Sequence, residues 1–311
     1  MAKKYFEILA YRLNVADPEP GLFDEHFDKL AGNDDNIVSV FKYSTDPKYR
    51  YISRGEKADY AWDIREFLRY GTSGVYGLTL ARSLTRKQGK VVEASGITDG
   101  ESSPHPPLAE TIDIFFFMNR HMVAVEHLSA ITSTDTWKKI IQETFVRAAW
   151  DNKFVGKIEL EPVPQDEEII KAFNSFSRLT RLRVDLRLPN PELNRFSKYL
   201  YDQMEESGIK EYLQDMKNSS GLNKKEGAIP RASVEIAQAG YKRGTIRLEG
   251  YRGGRFEKIH VGAEAARGTI NIPREEMKEI KKMPTSIHSV DVVIAIMEEV
   301  NNIAPPPDQE E

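Results

Sequence analysis

The chain has 311 residues, of which 40% are hydrophobic and 30% charged, with a formal net charge of −4 and no cysteine. The acidic balance argues against general charge-driven binding of nucleic acid, but not against a local basic patch. The lack of cysteine excludes disulfides, thiolate zinc sites and a cysteine nucleophile, and it fits a reducing cytoplasm.

No apolar run approaches the ~20 residues that a membrane-spanning helix needs. Met1-Ala2-Lys3-Lys4 leads at once into an alternating, partly charged segment without a signal-peptide core. The expectation is a soluble cytoplasmic protein with no membrane partner and, at this length, two domains.

Tyr5–Leu13 reads as a strand, ended by Asp17-Pro18-Glu19-Pro20-Gly21. A short helix is expected around Leu22–Leu30, with Phe23, Phe27 and Leu30 on one side, and Val38–Tyr43 reads as a second strand. Lys57–Tyr70 reads as a helix with Ala61, Ile64 and Leu68 inward and Gly71 at its C-cap. Residues 86–107, rich in Gly, Ser, Pro and Lys, are expected to form a long loop.

Ile112–Met118 and Met122–Leu128 flank Asn119-Arg120-His121 as a hairpin. Thr134–Trp137 opens a helix whose buried stripe is Trp137, Ile140, Ile141, Phe145 and Ala148. Lys157–Glu161 reads as a strand and Asp166–Arg178 as a helix. Arg181–Leu188 then alternates strictly: Arg181, Arg183, Asp185 and Arg187 on one face, Leu182, Val184, Leu186 and Leu188 on the other. This order implies an α+β fold, a mixed or antiparallel sheet with helices on one face and the arginines on the other.

Asn190-Pro191 is the expected start of a long helix, broken at Gly208 before a second helical piece at Ile209–Met216. After a polar loop at 217–231, Ser233–Ala237, Thr245–Gly250 and Arg255–Val261 read as a small antiparallel sheet turning at Gly253-Gly254. A last helix runs from Pro284-Thr285-Ser286 through Val300. The domains implied are a main α+β domain over 1–188, a helical connector with a small antiparallel sheet and final helix over 189–303, and a disordered tail over 304–311.

Two constellations could carry chemistry. Arg181, Arg183 and Arg187, with Arg247, Arg252 and Arg255 from the late hairpin, suit phosphate binding through multi-donor guanidinium groups. Lys242, Arg243 and Lys258 add to the second cluster. Alternating charge is also the ordinary pattern of a solvated strand, in which the arginines would pair with Asp185, Glu159 and Glu161. The second constellation is Lys157, Glu159 and Glu161 on one strand face with Asp113 across the sheet, the donor types of a metal-dependent nuclease.

Other features point away from chemistry. His121 and His127 lie about 20 Å apart in an extended strand and cannot share a metal. Gly250–Arg255 lacks the Lys-Ser/Thr ending of a phosphate loop and reads as a hairpin turn. Tyr251 among Arg247, Arg252 and Arg255 offers a stacking platform for bases, whereas Phe115–Phe117 continue an apolar strand and read as core.

The element order from Ala109 to Val261 resembles an uncharacterised prokaryotic family linked to anti-phage defence. The residues that carry this are the Phe-rich hairpin, Leu-Arg-Val-Asp-Leu-Arg-Leu-Pro-Asn-Pro at 182–191 and Gly-Thr-Ile-Arg-Leu-Glu-Gly at 244–250. A looser similarity of element order links it to the phage lambda exclusion protein RexA, a DNA-binding dimer. The resemblance implies polynucleotide sensing by a homo-oligomer. The leading expectation is therefore a non-enzymatic component of a defence system that binds DNA or RNA without a cofactor or metal. The alternatives are the metal-dependent nuclease and an adaptor for a partner effector protein.

Overall fold

The structure is a computed structural model that describes residues 5–16, 27–71, 74–94, 96–105, 107–187, 202–204, 206–209 and 211–306. It opens with β1 (Tyr5–Ala16), the two-residue β2 (Asp28–Lys29) and α1 (Asp34–Tyr43). In the next strands, β3 (Tyr51–Arg54), β4 (Ala58–Tyr70), β5 (Val75–Glu93) and β6 (Gly96–Ser102), β3 pairs antiparallel with β4, β4 with β5 and β5 with β6. β7 (Ala109–Phe117) and β8 (Met122–Glu126) flank a 3-10 turn at Met118–Arg120. They are followed by α2 (Ser129–Thr132), α3 (Thr136–Asp151), β9 (Phe154–Val155) and β10 (Lys157–Pro162). Next come α4 (Glu168–Ser175), β11 (Arg178–Arg187), β12 (Glu211–Lys217) and α5 (Ile229–Gln238). The chain continues through β13 (Ile246–Arg252), β14 (Arg255–Val261), β15 (Arg267–Pro273), α6 (Arg274–Ile280) and α7 (Ile287–Ile303). The fold is α+β, and among the described residues no helix is long and apolar enough to cross a membrane.

The chain divides into two compact units. Unit 1 comprises Met1–Ala16, Phe116–Ala124 and Glu159–Glu311, and unit 2 comprises Asp17–Phe115 and Val125–Ile158. In unit 1 an antiparallel sheet has the order β12-β11-β13-β14. Leu182, Val184, Leu186 and Leu248 leave one face of it and enter a core with Phe173 of α4 and Val234 of α5. The two helices cover that face because each has an apolar stripe at helical spacing. Also in unit 1, β1 lies beside β10 and β8 and pairs antiparallel with β15, Phe6 opposite Ile270. In unit 2 the order is β7-β5-β4-β3, with β6 on β5; Phe41 of α1 meets Phe145 of α3 at 5.1 Å.

Several expectations change. β11 pairs with β12 and β13, so the alternating strand belongs with the late sheet rather than with the expected first domain. Lys57–Tyr70 is a strand, and Ala61–Ile64 are buried four in a row, as in a strand hydrogen-bonded on both edges. Val38–Tyr43 is helical, because the side chain of Asn33 caps the Asn36 amide and places Ile37, Val40 and Phe41 on one buried face. Residues 86–107 are largely the ribbon of β5 and β6. Ile209–Met216 is mostly strand β12, and Ser233–Ala237 lies inside helix α5. Most of the Leu22–Leu30 segment and the long helix from Pro191 lie outside the described residues, as does most of the 304–311 tail. Ala304 itself is buried, and its carbonyl accepts from Arg120 at 2.9 Å.

Candidate functional site

The outer face of the β12-β11-β13-β14 sheet follows from strand parity. Because Leu182, Val184 and Leu186 are committed to the core, Arg181, Arg183 and Asp185 point the other way. The register then sets Arg181 opposite Glu249, Arg183 between Arg247 and Asp215, and Glu249 opposite Lys258. The predicted basic strand thus finds two of its partners, Arg247 and Lys258, on neighbouring strands of the same face.

The charges are not balanced one to one. Arg181 donates two hydrogen bonds to Asp215, at 2.7 and 2.6 Å, and Lys217 lies 3.4 Å from the same carboxylate. Glu249, nearly buried, receives Arg181 at 3.2 Å, Lys258 at 3.8 Å and also Arg247. Each carboxylate therefore serves more than one cation, and the face keeps an excess of positive charge. Arg183 is exposed and has no ion-pair partner among the described residues. At the hairpin end, Arg178 stacks over the ring of Tyr251 at 4.1 Å, and Tyr251 meets Phe256 edge to face at 5.6 Å. The predicted Arg252 and Arg255 do not join this face: they pair with each other in the parity class of Leu248 and Ile259, so they project to the helix side of the sheet, where Arg252 lies 3.8 Å from Glu257.

The Arg181 hydrogen bonds hold the Asp215 carboxyl down at about 2, from an ordinary 3.8. A carboxylate with a depressed folded pKa stabilises the fold above its unfolded value and loses that contribution as pH falls through the folded one. The pair's contribution is accordingly complete above pH 3.8 and vanishes as pH falls to about 2. We expect Asp215→Asn to abolish this acid-sensitive component, with wild type and variant converging near pH 2 in urea melts followed by circular dichroism.

Five predicted residues, Arg187, Lys157, Glu159, Glu161 and Asp113, lie elsewhere. Arg187 was expected to face outward with Arg183, but it is only 4% exposed, 3.7 Å from Glu159 and 3.9 Å from Asp185. Strand β10 and the Tyr241–Lys242 segment, whose Tyr241 carbonyl accepts from the Arg187 amide, lie at that end of β11. Glu161 accepts from the Gly244 amide at 3.2 Å and stands 4.0 Å from Lys242, which is wholly buried and donates to the Gly244 carbonyl at 2.9 Å. The proposed metal ligands Glu159 and Glu161 are thus engaged by cations and by the backbone. Lys157 is half-buried on the same strand.

Asp113 belongs to unit 2, where it is buried beside the Thr79 hydroxyl at 3.0 Å, and its own amide donates to Glu126 at 3.0 Å. Among the described residues no group of three or more His, Asp or Glu side chains is arranged to hold a metal ion. His121 sits in a left-handed turn at φ 46°, and His127 Nδ1 is 2.8 Å from the Thr132 hydroxyl. The sequence reading missed Arg178, Lys217 and Asp215 on the face. Arg178 could have been found from its parity with Thr180 only if the irregularity between Leu179 and Arg181 were known, and Asp215 only if Ile209–Met216 had been read as a strand.

No curated protein matches the chain. The match to a family spans residues 95–282, more than half of the 311, and includes all four strands of the charged sheet. The chain belongs to the family described as domain of unknown function (DUF4747).

Proposed function

We propose that the outer face of the four-stranded sheet binds nucleic-acid backbones without catalysing a reaction on them. The observation that carries this is the excess of cations over carboxylates on one continuous face, with Arg183 exposed at its middle and without an ion-pair partner among the described residues. Guanidinium groups in such a setting release condensed counterions when they replace them at phosphates, so affinity would be salt-dependent and largely indifferent to base sequence. Arg181, Arg183 and Arg247 supply the centre of this surface, with Lys258 beside them, whereas Arg252 and Arg255 are not part of it because they share the parity of Leu248 and Ile259 on the opposite face. The buried Arg187 is not part of it.

The setting we read for this binding is cytoplasmic, within a homo-oligomeric component of prokaryotic antiviral defence; the support is the resemblance of the 182–191 stretch stated above. The test is a salt titration of fluorescence anisotropy with labelled DNA and RNA. Arg183→Ala should weaken binding about equally for all sequences and reduce the log–log salt slope by about 1. If Arg183→Glu combined with Arg247→Glu leaves affinity unchanged, the surface is wrong. Absence of binding at low salt would instead make this face a docking surface for a partner protein.

A further inference from the structure

We propose that the hairpin end of this face is a stacking corner for an unpaired base, which makes the preferred ligand single-stranded nucleic acid. The proposal rests on the phosphate-binding role and adds to it the class of strand that fits. Tyr251 and Phe256 are direct cross-strand partners on the outer face. Their ring centroids are 5.6 Å apart and their planes meet at 75°, so the two rings form the walls of an open corner. Arg178, 4.1 Å above Tyr251, covers one side of that ring and fixes its orientation. Phe256 lies outside the core behind this sheet and is 50% exposed.

An exposed phenylalanine at the end of a cationic sheet face has one use that matches its surroundings. Its π-face is available to a planar, uncharged group whose attached chain is anionic. A nucleotide base is such a group, because stacking is indifferent to base identity while the adjoining phosphates need Lys258, Arg247 and Arg183. The bases of a duplex are stacked on one another and paired, and would have to be extruded before one could lie against Phe256. An unpaired strand offers the base at no such cost. Asp215 and Glu249 do not oppose the phosphates, since their charge is already shared among Arg181, Lys217, Arg247 and Lys258.

The experiment compares a labelled oligothymidylate, the matching oligouridylate, an abasic oligomer of the same phosphate number and a blunt hairpin duplex, all with the full chain at one salt concentration. The two base-bearing single strands should bind about tenfold tighter than the abasic oligomer. Phe256→Ala should remove most of that difference without altering the salt slope, and Phe256→Trp should retain it with indole fluorescence quenched on binding. Because the side chain is half-exposed, neither change should unfold the sheet, which circular dichroism checks. Equal affinity for abasic and base-bearing strands, unmoved by Phe256→Ala, would overturn the stacking corner while leaving phosphate binding standing. Tighter binding of the duplex than of either single strand would also overturn it. Failure of every probe to bind would remove both.

Discussion

Arg187→Ala should destabilise unit 1 by about 3–5 kcal/mol, the usual consequence of removing one partner from a buried ion pair. Arg187 and Glu159 are each 4% exposed and 3.7 Å apart. Truncating the arginine opens a cavity beside the buried Glu159 carboxylate and takes away a cation 3.7 Å from it, and weaker compensation of a desolvated charge adds to the lost packing in the cost. Urea denaturation would show the effect as a lower midpoint for the transition that includes the β11 sheet. Because the chain has two compact units, the melt should be fitted with separate transitions. Arg187→Ala combined with Glu159→Gln should recover part of the loss, since the second change removes the buried negative charge that the arginine faced. A cost below about 1 kcal/mol for Arg187→Ala would mean that the guanidinium is not structural, and its assignment to the phosphate-binding face would reopen.

The contrast between Arg183 and Arg187 marks how far sequence parity reaches. The period of two correctly separates Leu182, Val184 and Leu186 from Arg181, Arg183 and Asp185, because it depends only on strand geometry. It does not say how far along the strand the polar face stays open. Four residues after Arg183, the paired segment at Tyr241–Lys242 and the carboxylate of Glu159 close over the same parity class. The same blindness applies to Glu159 and Glu161, whose spacing looked like a ligand set and whose environment is a set of cations.

Element type failed where two periodicities overlapped. Ala61, Ile64 and Leu68 are spaced as a helical stripe, yet Tyr60, Trp62, Phe67 and Tyr70 are strand-favouring aromatics, and pairing with β3 and β5 decides the outcome. Val38–Tyr43 failed in the opposite direction. Its β-branched and aromatic residues suggested a strand, while Asn33-Asp34-Asp35 carried a helix-start signal that the structure uses. The ribbon of β5 and β6 was hidden because its glycines, Gly89, Gly96 and Gly100, look like loop residues; Gly100 faces Val91 so closely that a side chain there would collide with it. Hairpins closed by short local turns, β7 with β8 and β13 with β14, were legible because nothing distant has to be known to form them.

Gly250→Ala should destabilise the four-stranded sheet by about 3 kcal/mol, the upper end for overpacking, because the atoms in the way belong to backbone. A Cβ at this position would stand 2.3 Å from the Arg178 carbonyl oxygen, 2.8 Å from the Leu179 Cα and 3.0 Å from the Thr180 nitrogen. These atoms lie where β11 carries an irregularity in its pairing with β13, between Leu179 and Arg181. The irregular segment is pinned on both sides: the Thr180 hydroxyl donates to the Glu249 carbonyl at 3.1 Å and the Asn218 amide to the Thr180 carbonyl at 2.9 Å. It cannot retreat without breaking those bonds, so β13 must move away from β11. The neighbouring Gly253 and Gly254 differ: nothing lies within 4 Å of a Cβ there, and only their φ values of 55° and 81° disfavour a side chain, a strain of roughly 1–2 kcal/mol. The ranking of the three alanine variants by urea midpoint therefore separates steric exclusion from conformational strain. Gly250→Ala should also displace Tyr251 from Arg178, and with it the aromatic corner, so that discrimination between base-bearing and abasic strands falls together with stability. A Gly250→Ala protein as stable as the parent would show that the register of β11 against β13 is not the one that places Arg183 opposite Arg247, and the charged face would have to be redrawn.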